Sequence, residues 1–423
     1  MTALIYHAKF DDAVAAIRAA LPDLKAVVRV AGDFSPLEEA ATALDFDDVV
    51  GRQPTGRPDI AIDEHDEAYI MFTSGSTGEP KGVVNTHFTW GYTGISPGLD
   101  IADTRPGEVF AHGAPLTHYS GAFVMPTFIR GGTNVMLPSM DVETLLSSIE
   151  RYRVTATAVV PTIIYLLLDD HRRSDFDIST LQTMIYAGAP IAPERLRQAL
   201  DVFGPIFVQT YAGTEQGFVS CLRKEQHRTD GDAWIERLGS AGRPLFPVRI
   251  CTRDDENPNR KSTGVGEVCT TQLGQMTTYL DPTRNHDTLR HGWIHTGDVG
   301  RLDDDGYLYL IDRKKDMVVS GGFNVYPRQV EDALCTHPAV AHSAVIGVPH
   351  PKWGEAVLGV VVTKSDIAVT ESDLINHVKN ILGSVAAPKS IVFTHSLPTN
   401  PAGKINKKAL REPYWRDQHR GIG

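Results

Sequence analysis

The chain has 423 residues, of which 42% are hydrophobic and 22% charged, a balance that supports large buried cores and excludes a disordered polymer. Its formal net charge is −11 and basic residues form no long run, which sets aside nucleic-acid binders because they need a basic face. No apolar stretch approaches the roughly 20 residues of a membrane-spanning helix.

From the N-terminus, Met1 to Leu21 lacks the apolar block of a secretion signal; Asp11 to Leu21 has helical spacing, and Ala26 to Val30 reads as a strand. Asp33 to Glu64 is acidic and irregular, with room for a short helix, and Ala68 to Phe72 is a short apolar strand. Helices are expected at Val142 to Tyr152 and Ile163 to His171, and strands at Ala156 to Val160 and Thr183 to Tyr186. This alternation points to a parallel-sheet α/β organisation. After Leu238 the runs Val248 to Cys251, Gly266 to Thr270 and Gly306 to Leu310, separated by turn residues, suggest a small barrel or antiparallel sheet. A domain boundary is expected at Asp312. Beyond it, helices at Gln329 to Leu334 and Glu371 to Leu382 and strands at Ala341 to Val348 and Val357 to Val362 form an α+β pattern. The cysteines Cys221, Cys251, Cys269 and Cys335 show no C-x-x-C spacing, so no zinc site or redox pair is suggested. Four thiols in so long a chain fit a reducing compartment. The ending Arg420-Gly-Ile-Gly423 is no peroxisomal address or prenylation box, and the cytoplasm is the expected location.

The strongest chemical signal is Met71-Phe-Thr-Ser-Gly-Ser-Thr-Gly-Glu-Pro-Lys-Gly82, a strand running into a loop rich in hydroxyls and glycine. Glycine lets backbone N–H groups converge on an anion, Ser74, Ser76 and Thr77 add donors, and Lys81 adds positive charge. It is not a Walker A loop, because no Gly-Lys-Ser/Thr opens a helix and Gly82-Val-Val continues as a strand.

This segment resembles the signature loop of the adenylate-forming superfamily, which includes acyl-CoA synthetases, firefly luciferases and adenylation domains of peptide synthetases. Further segments similar to that family's motifs follow in order: Tyr186-Ala-Gly-Ala-Pro190, Gln209-Thr-Tyr-Ala-Gly-Thr-Glu215, Trp293-Ile-His-Thr-Gly-Asp298, Asp312-Arg-Lys-Lys-Asp316 with Ser320-Gly-Gly322, and Leu397-Pro-Thr-Asn-Pro-Ala-Gly-Lys-Ile405. The resemblance covers nearly the whole chain. Ala212 stands where the family usually has glycine.

The resemblance implies that Thr73, Ser74, Gly75, Ser76, Thr77, Gly78 and Lys81 cradle the phosphates. It places Gly188, Ala189, Pro190 and Tyr211 about the adenine, Thr214 on the α-phosphate, Asp298 on the ribose hydroxyls and Arg313 on the ribose or phosphate. Glu215 holds Mg²⁺, which prefers hard carboxylate oxygen, and Lys404 bridges the substrate carboxylate and the α-phosphate. Lys315 is the hinge, Gly321 and Gly322 let coenzyme A pass, and His118, Gly213 and Gly217 line the acyl pocket, with Phe218 a further candidate. Trp293 and His295 are expected to pack rather than react. The implied fold is α/β: a large N-terminal adenylation domain, residues 1–312, of α/β layers plus a small β-barrel, then a small mobile α+β domain, residues 313–423, carrying Lys404. Relative to the family, roughly a hundred residues of the first domain are missing before Ala3, so that domain is expected to be N-terminally truncated.

The implied reaction is that of an acid–thiol ligase. ATP activates a carboxylic acid, a fatty acid before an aryl acid, to acyl-AMP, and coenzyme A then takes the acyl group. Two alternatives stand beside it: a ligase loading a carrier protein, and a truncated, non-catalytic nucleotide-binding homologue. Expected partners are small molecules, with no nucleic acid and no integral membrane segment.

Overall fold

In the computed structural model, which describes residues 2–30, 43–74, 80–101, 105–117, 119–189, 191, 193–253, 264–364, 367–399 and 405–416, the apolar runs Ala156–Val159 and Thr183–Tyr186 are strands buried on both faces. Met184 and Tyr186 enter one core and Ile185 the other; Val159 and Ala158 divide in the same way. Strand side chains alternate in direction, so a continuous apolar run is what a sheet covered on both sides requires.

Compactness divides the chain into two units, Met1–Ile62 and Asp63–Gly423. In the first, the strands Ala3–His7 and Ala26–Val30 pair in parallel, and Leu44–Asp45 pairs with the second of them. The helix Asp11–Arg18 connects the two long strands and stops short of the expected Leu21, as the chain approaches Pro22. Arg29 reaches back to Asp11 through Nη2–Oδ2 at 2.8 Å and Nε–Oδ1 at 3.0 Å. A helix Phe46–Gly51 follows, capped by Asp45.

The second unit is built on a seven-stranded sheet. Its order is Arg243–Pro244, Gly217–Leu222, Phe207–Gly213, Thr183–Tyr186, Ala156–Val159, Val109–His112, Thr133–Met136. The last five are parallel and the first two antiparallel. The helices Val142–Tyr152, Pro161–Asp169 and Pro193–Phe203 bury Leu145, Ile149, Ile164, Leu167 and Leu196 on one face. Asp141 caps the first helix by accepting from Thr144 N at 2.8 Å, and Pro161 occupies the first turn of the second. Each buried leucine or isoleucine here contributes on the order of 1.5–3 kcal/mol of transfer free energy.

Two antiparallel sheets adjoin it in sequence. Glu67–Ser74, Pro80–Thr86 and Thr278–Tyr279 make one, in which Gly82 is required by space: a Cβ there would lie 3.0 Å from Ile70 and Leu280. Arg249–Arg253, Gly266–Thr271, Trp293–Leu302, Leu289–Arg290 and Leu308–Arg313 make the other, the expected antiparallel sheet. Its last strand runs past the expected Leu310, since the turn lies at Asp304 and Asp305, Gly306 and Tyr307 lead out of it, and Asp312 and Arg313 remain paired.

Beyond Arg313 a five-stranded sheet forms around the hairpin Val340–His350 and Gly354–Thr363, covered by the helices Pro327–Cys335 and Glu371–Ala386. The second helix breaks at Gly383, φ 84°, next to its expected end at Leu382. No helix among the described residues is long and apolar enough to cross a membrane.

Candidate active site

Tyr211 sits near the end of the strand Phe207–Gly213, where the register with the neighbouring strand shifts. Its ring is buried and its hydroxyl donates to Asp298 Oδ2 across 2.5 Å. Asp298 faces Arg313 directly in the antiparallel pair, and Arg313 Nε lies 3.2 Å from Asp298 Oδ1. Both carboxylate oxygens are therefore held. Burial, with the Asp298 charge added, pushes the Tyr211 hydroxyl well above its ordinary range, and Asp298 likewise raises the Arg313 guanidinium. Burial and the adjacent Arg313 lower the Lys315 ammonium.

These residues share a cleft of about 2020 Å³, which Gly188, Ala189, Tyr211, Asp298, Arg313 and Lys315 all line. Gly188, at φ 85°, and Ala189 are exposed just past the carboxyl end of the strand Thr183–Tyr186. Open α/β sheets receive ligands at the carboxyl ends of their strands. Ile405 and Lys407 line the cleft as well. Thr399 and Ile405 form an antiparallel bridge and Asn406 N donates to Pro398 O at 2.8 Å, so the residues flanking 400–404 are fastened together. Lys407 Nζ pairs with Glu331 Oε1 at 2.7 Å and Arg411 with Asp316 at 3.0 Å, which ties the last helix to the segment after Arg313.

A second cluster surrounds Glu215. The turn from Gly213 to Gly217 is tight: Gly217 has φ 68°, and a Cβ on Gly213 would lie 3.0 Å from the Gln216 side chain. Thr214 and Glu215 are half-buried on this turn. Tyr279 donates its hydroxyl to Glu215 Oε1 at 3.0 Å, and Met276 N donates to Glu215 O at 2.8 Å. Lys81 Nζ stands 5.0 Å above the Tyr279 ring. Tyr279 thus joins Lys81 to Glu215, a role with no signal in the local sequence. Thr214, Glu215, Gly213, Gly217, Thr73 and Lys81 lie outside the lining of the large cleft.

Gly321 and Gly322, at φ 60° and 84°, turn the chain between the strands Val318–Ser320 and Phe323–Val325, with Gly321 N donating to Trp353 O at 2.9 Å. They too lie outside the cleft lining. Ser74 pairs through its backbone with Pro80. Gly75, Ser76, Thr77, Gly78, His118, Pro190 and Lys404 lie outside the described residues, as does the Ser74 side chain.

Residues 1–280 match the family described as AMP-binding enzyme, and residues 329–404 its C-terminal domain. The medium/long-chain-fatty-acid–CoA ligase FadD8 of Mycobacterium tuberculosis is 40% identical over 362 residues, an alignment covering 84% of this chain and 62% of that ligase. A feruloyl-CoA synthase of an Amycolatopsis species is 36% identical, with 84% and 72% covered. The solved amide bond synthetase McbA of Marinactinospora thermotolerans superposes with TM-score 0.85 at 31% identity, covering 98% of this chain and 80% of that one. The chain spans less than two thirds of the length of the first of these relatives. Sequence order, sheet topology and these likenesses agree: the chain belongs to the AMP-binding enzyme family, the adenylate-forming enzymes.

Proposed function

We propose that this chain is an acid–thiol ligase that converts a carboxylic acid and ATP to acyl-AMP and pyrophosphate, then transfers the acyl group to coenzyme A. The observation that carries the reading is the Asp298 carboxylate, held between Tyr211 and Arg313 in a cleft that also receives the small-residue turn Gly188–Ala189. A fixed carboxylate beside exposed backbone suits a ribose and a flat base, as in other nucleotide sites.

In the first half-reaction a substrate carboxylate oxygen bonds to the α-phosphorus and the bond to pyrophosphate breaks. Two anions meet, so positive charge must be fixed in place beforehand. Lys404 and Thr214 are assigned to the pentacoordinate α-phosphorus, and the loop around Ser76 and Lys81 to the leaving pyrophosphate. Glu215 fits Mg²⁺: it is a hard oxygen donor whose orientation Tyr279 fixes. When bound there, the ion supplies neutralisation of phosphate charge.

In the second half-reaction a thiol attacks the acyl carbonyl, AMP leaves and the thiol proton passes to solvent. Lys404 must withdraw, and rotation at Lys315 that presents the Gly321–Gly322 turn accomplishes this by hinge motion. A medium- or long-chain fatty acid is the proposed substrate, supported by the fatty-acid ligase among the relatives. The test is pyrophosphate release across fatty and aryl acids, with coenzyme A and an acyl-carrier protein as competing acceptors. Thioester on coenzyme A supports the proposal; acyl-AMP that only the carrier protein discharges contradicts it.

A further inference from the structure

The antiparallel sheet beside the cleft gathers a second set of ligating groups. Its register sets Cys251 opposite Cys269 and Cys269 opposite His295 on three adjacent strands. All three are buried. Cys269 Sγ lies 3.4 Å from His295 Nδ1, and Glu267 Oε2 lies 3.1 Å from the same nitrogen. The ligand atoms of Glu267, Cys269 and His295 all fall within 4.8 Å of one another. Separated as 251, 269 and 295 in the chain, these residues show no metal-site spacing in sequence; only the sheet register brings them together.

We propose that Glu267, Cys269 and His295 form a binding site for a divalent cation of the zinc class, with Cys269 thiolate, His295 Nδ1 and a Glu267 carboxylate oxygen as ligands. Zinc binds thiolate sulfur at about 2.3 Å and imidazole nitrogen or carboxylate oxygen at about 2.0–2.2 Å in tetrahedral sites. Those bond lengths give an S···N edge of about 3.6 Å and an N···O edge of about 3.3 Å. The observed S···N and N···O separations of 3.4 and 3.1 Å need a slight expansion, and the S···O separation, which lies within 4.8 Å, closes to about 3.6 Å on binding. Without a cation, Nδ1–H serves the Glu267 carboxylate and the Cys269 thiol turns to Glu267 O at 3.7 Å; a cation at their common centre replaces these contacts with ligand bonds.

On binding, the Cys269 thiol proton leaves to solvent and the imidazole keeps its hydrogen on Nε2. The neighbouring Cys251 thiol, burial and the Glu267 charge push the Cys269 thiol upward, so the apo site holds it protonated, while Arg253 acts in the opposite direction. Lys314 Nζ lies 4.0 Å from Glu267 Oε2, and Gly297 N donates to Glu267 Oε1 at 3.2 Å. Lys314 opens the turn that contains Lys315. The site stands on sheet geometry alone and is independent of the proposed acyl transfer.

The test titrates Co²⁺ into the reduced, chelator-treated full chain. One Co²⁺ per chain with a sulfur-to-cobalt charge-transfer band, displaced by Zn²⁺, abolished in Cys269→Ser and kept in Cys335→Ser, is the expected result. A wild-type chain without that band, or a band unaltered in Cys269→Ser, overturns the proposal. Should Cys269→Ser fail to fold, X-ray absorption of the Zn²⁺-loaded wild type decides: at least one sulfur beside nitrogen or oxygen supports the site, and a shell without sulfur overturns it.

Discussion

The hydroxyl of Tyr211 donates to Asp298 at 2.5 Å, which fastens the end of a parallel strand to the antiparallel sheet that follows it in sequence. Asp298 in turn pairs with Arg313, next to the 3₁₀ turn containing Lys315. A single carboxylate therefore touches the residue assigned to adenine and the residue that precedes the assigned hinge.

Replacing Asp298 with Asn keeps its shape but removes the charge that Tyr211 and Arg313 address. A hydrogen bond to a charged group is worth about 1.5–3 kcal/mol, so ATP affinity is expected to fall by about 10- to 100-fold. Calorimetric titration with ATP measures this. Unchanged affinity would remove Asp298 from the nucleotide site.

Tyr279→Phe deletes the hydroxyl that orients Glu215 and leaves the ring under Lys81. A hydrogen bond to a carboxylate is worth about 1.5–3 kcal/mol, small enough for the fold to survive its loss. The Mg²⁺ concentration for half-maximal pyrophosphate exchange is expected to rise about 10- to 100-fold, the same free energy expressed as a binding ratio. An unaltered Mg²⁺ dependence would separate Tyr279 from the metal-bearing role given to Glu215.

His227 gives a pH signature. Burial pushes its ring down to about 4, against a partly opposing contact with the Arg223 carbonyl. His227 Nδ1 lies 2.8 Å from Arg223 O and Nε2 lies 3.0 Å from the Tyr186 hydroxyl, an arrangement that suits the neutral ring. The unfolded chain takes up this proton near the ordinary histidine value of about 6.5, so the contribution is complete above that pH and is lost as pH falls toward about 4. The full effect is at most about 3 kcal/mol. Denaturant midpoints between pH 7 and 4 should fall more steeply for the wild type than for His227→Gln. Parallel curves would contradict the assignment.

Gly322→Ala tests the second half-reaction separately. At φ 84° any side chain is strained, by roughly 1–2 kcal/mol, although no atom lies within 4 Å of the Cβ position. Thioester formation should slow by about 5- to 30-fold, while pyrophosphate exchange stays within about two-fold of wild type. Equal losses in both would remove the Gly321–Gly322 turn from the coenzyme A path.

Local signals were legible where local forces decide. Thr183–Tyr186 and Val142–Tyr152 fall where the sequence places them, because one is apolar on both faces and the other has a capped, periodic stripe. Leu308–Arg313 was misplaced by two or three residues, because Asp312 and Arg313 look like loop residues until Asp298 is found opposite. Tyr279 was invisible for a related reason. Its strand pairs with Val83, nearly two hundred residues earlier, and no local pattern announces that contact. The Cys251, Cys269 and His295 alignment depends on the same kind of long-range register.

The most direct measurement is ATP–pyrophosphate exchange with a panel of carboxylic acids, run on the wild type and Lys404→Ala together with an ATP-binding titration. Acid-dependent exchange by the wild type, a loss of at least about 100-fold in Lys404→Ala and nearly unchanged ATP affinity are expected, since an electrostatic contact to the transition state is removed. Exchange that persists in Lys404→Ala, or a wild type that binds ATP yet exchanges no pyrophosphate with any acid, would contradict this expectation.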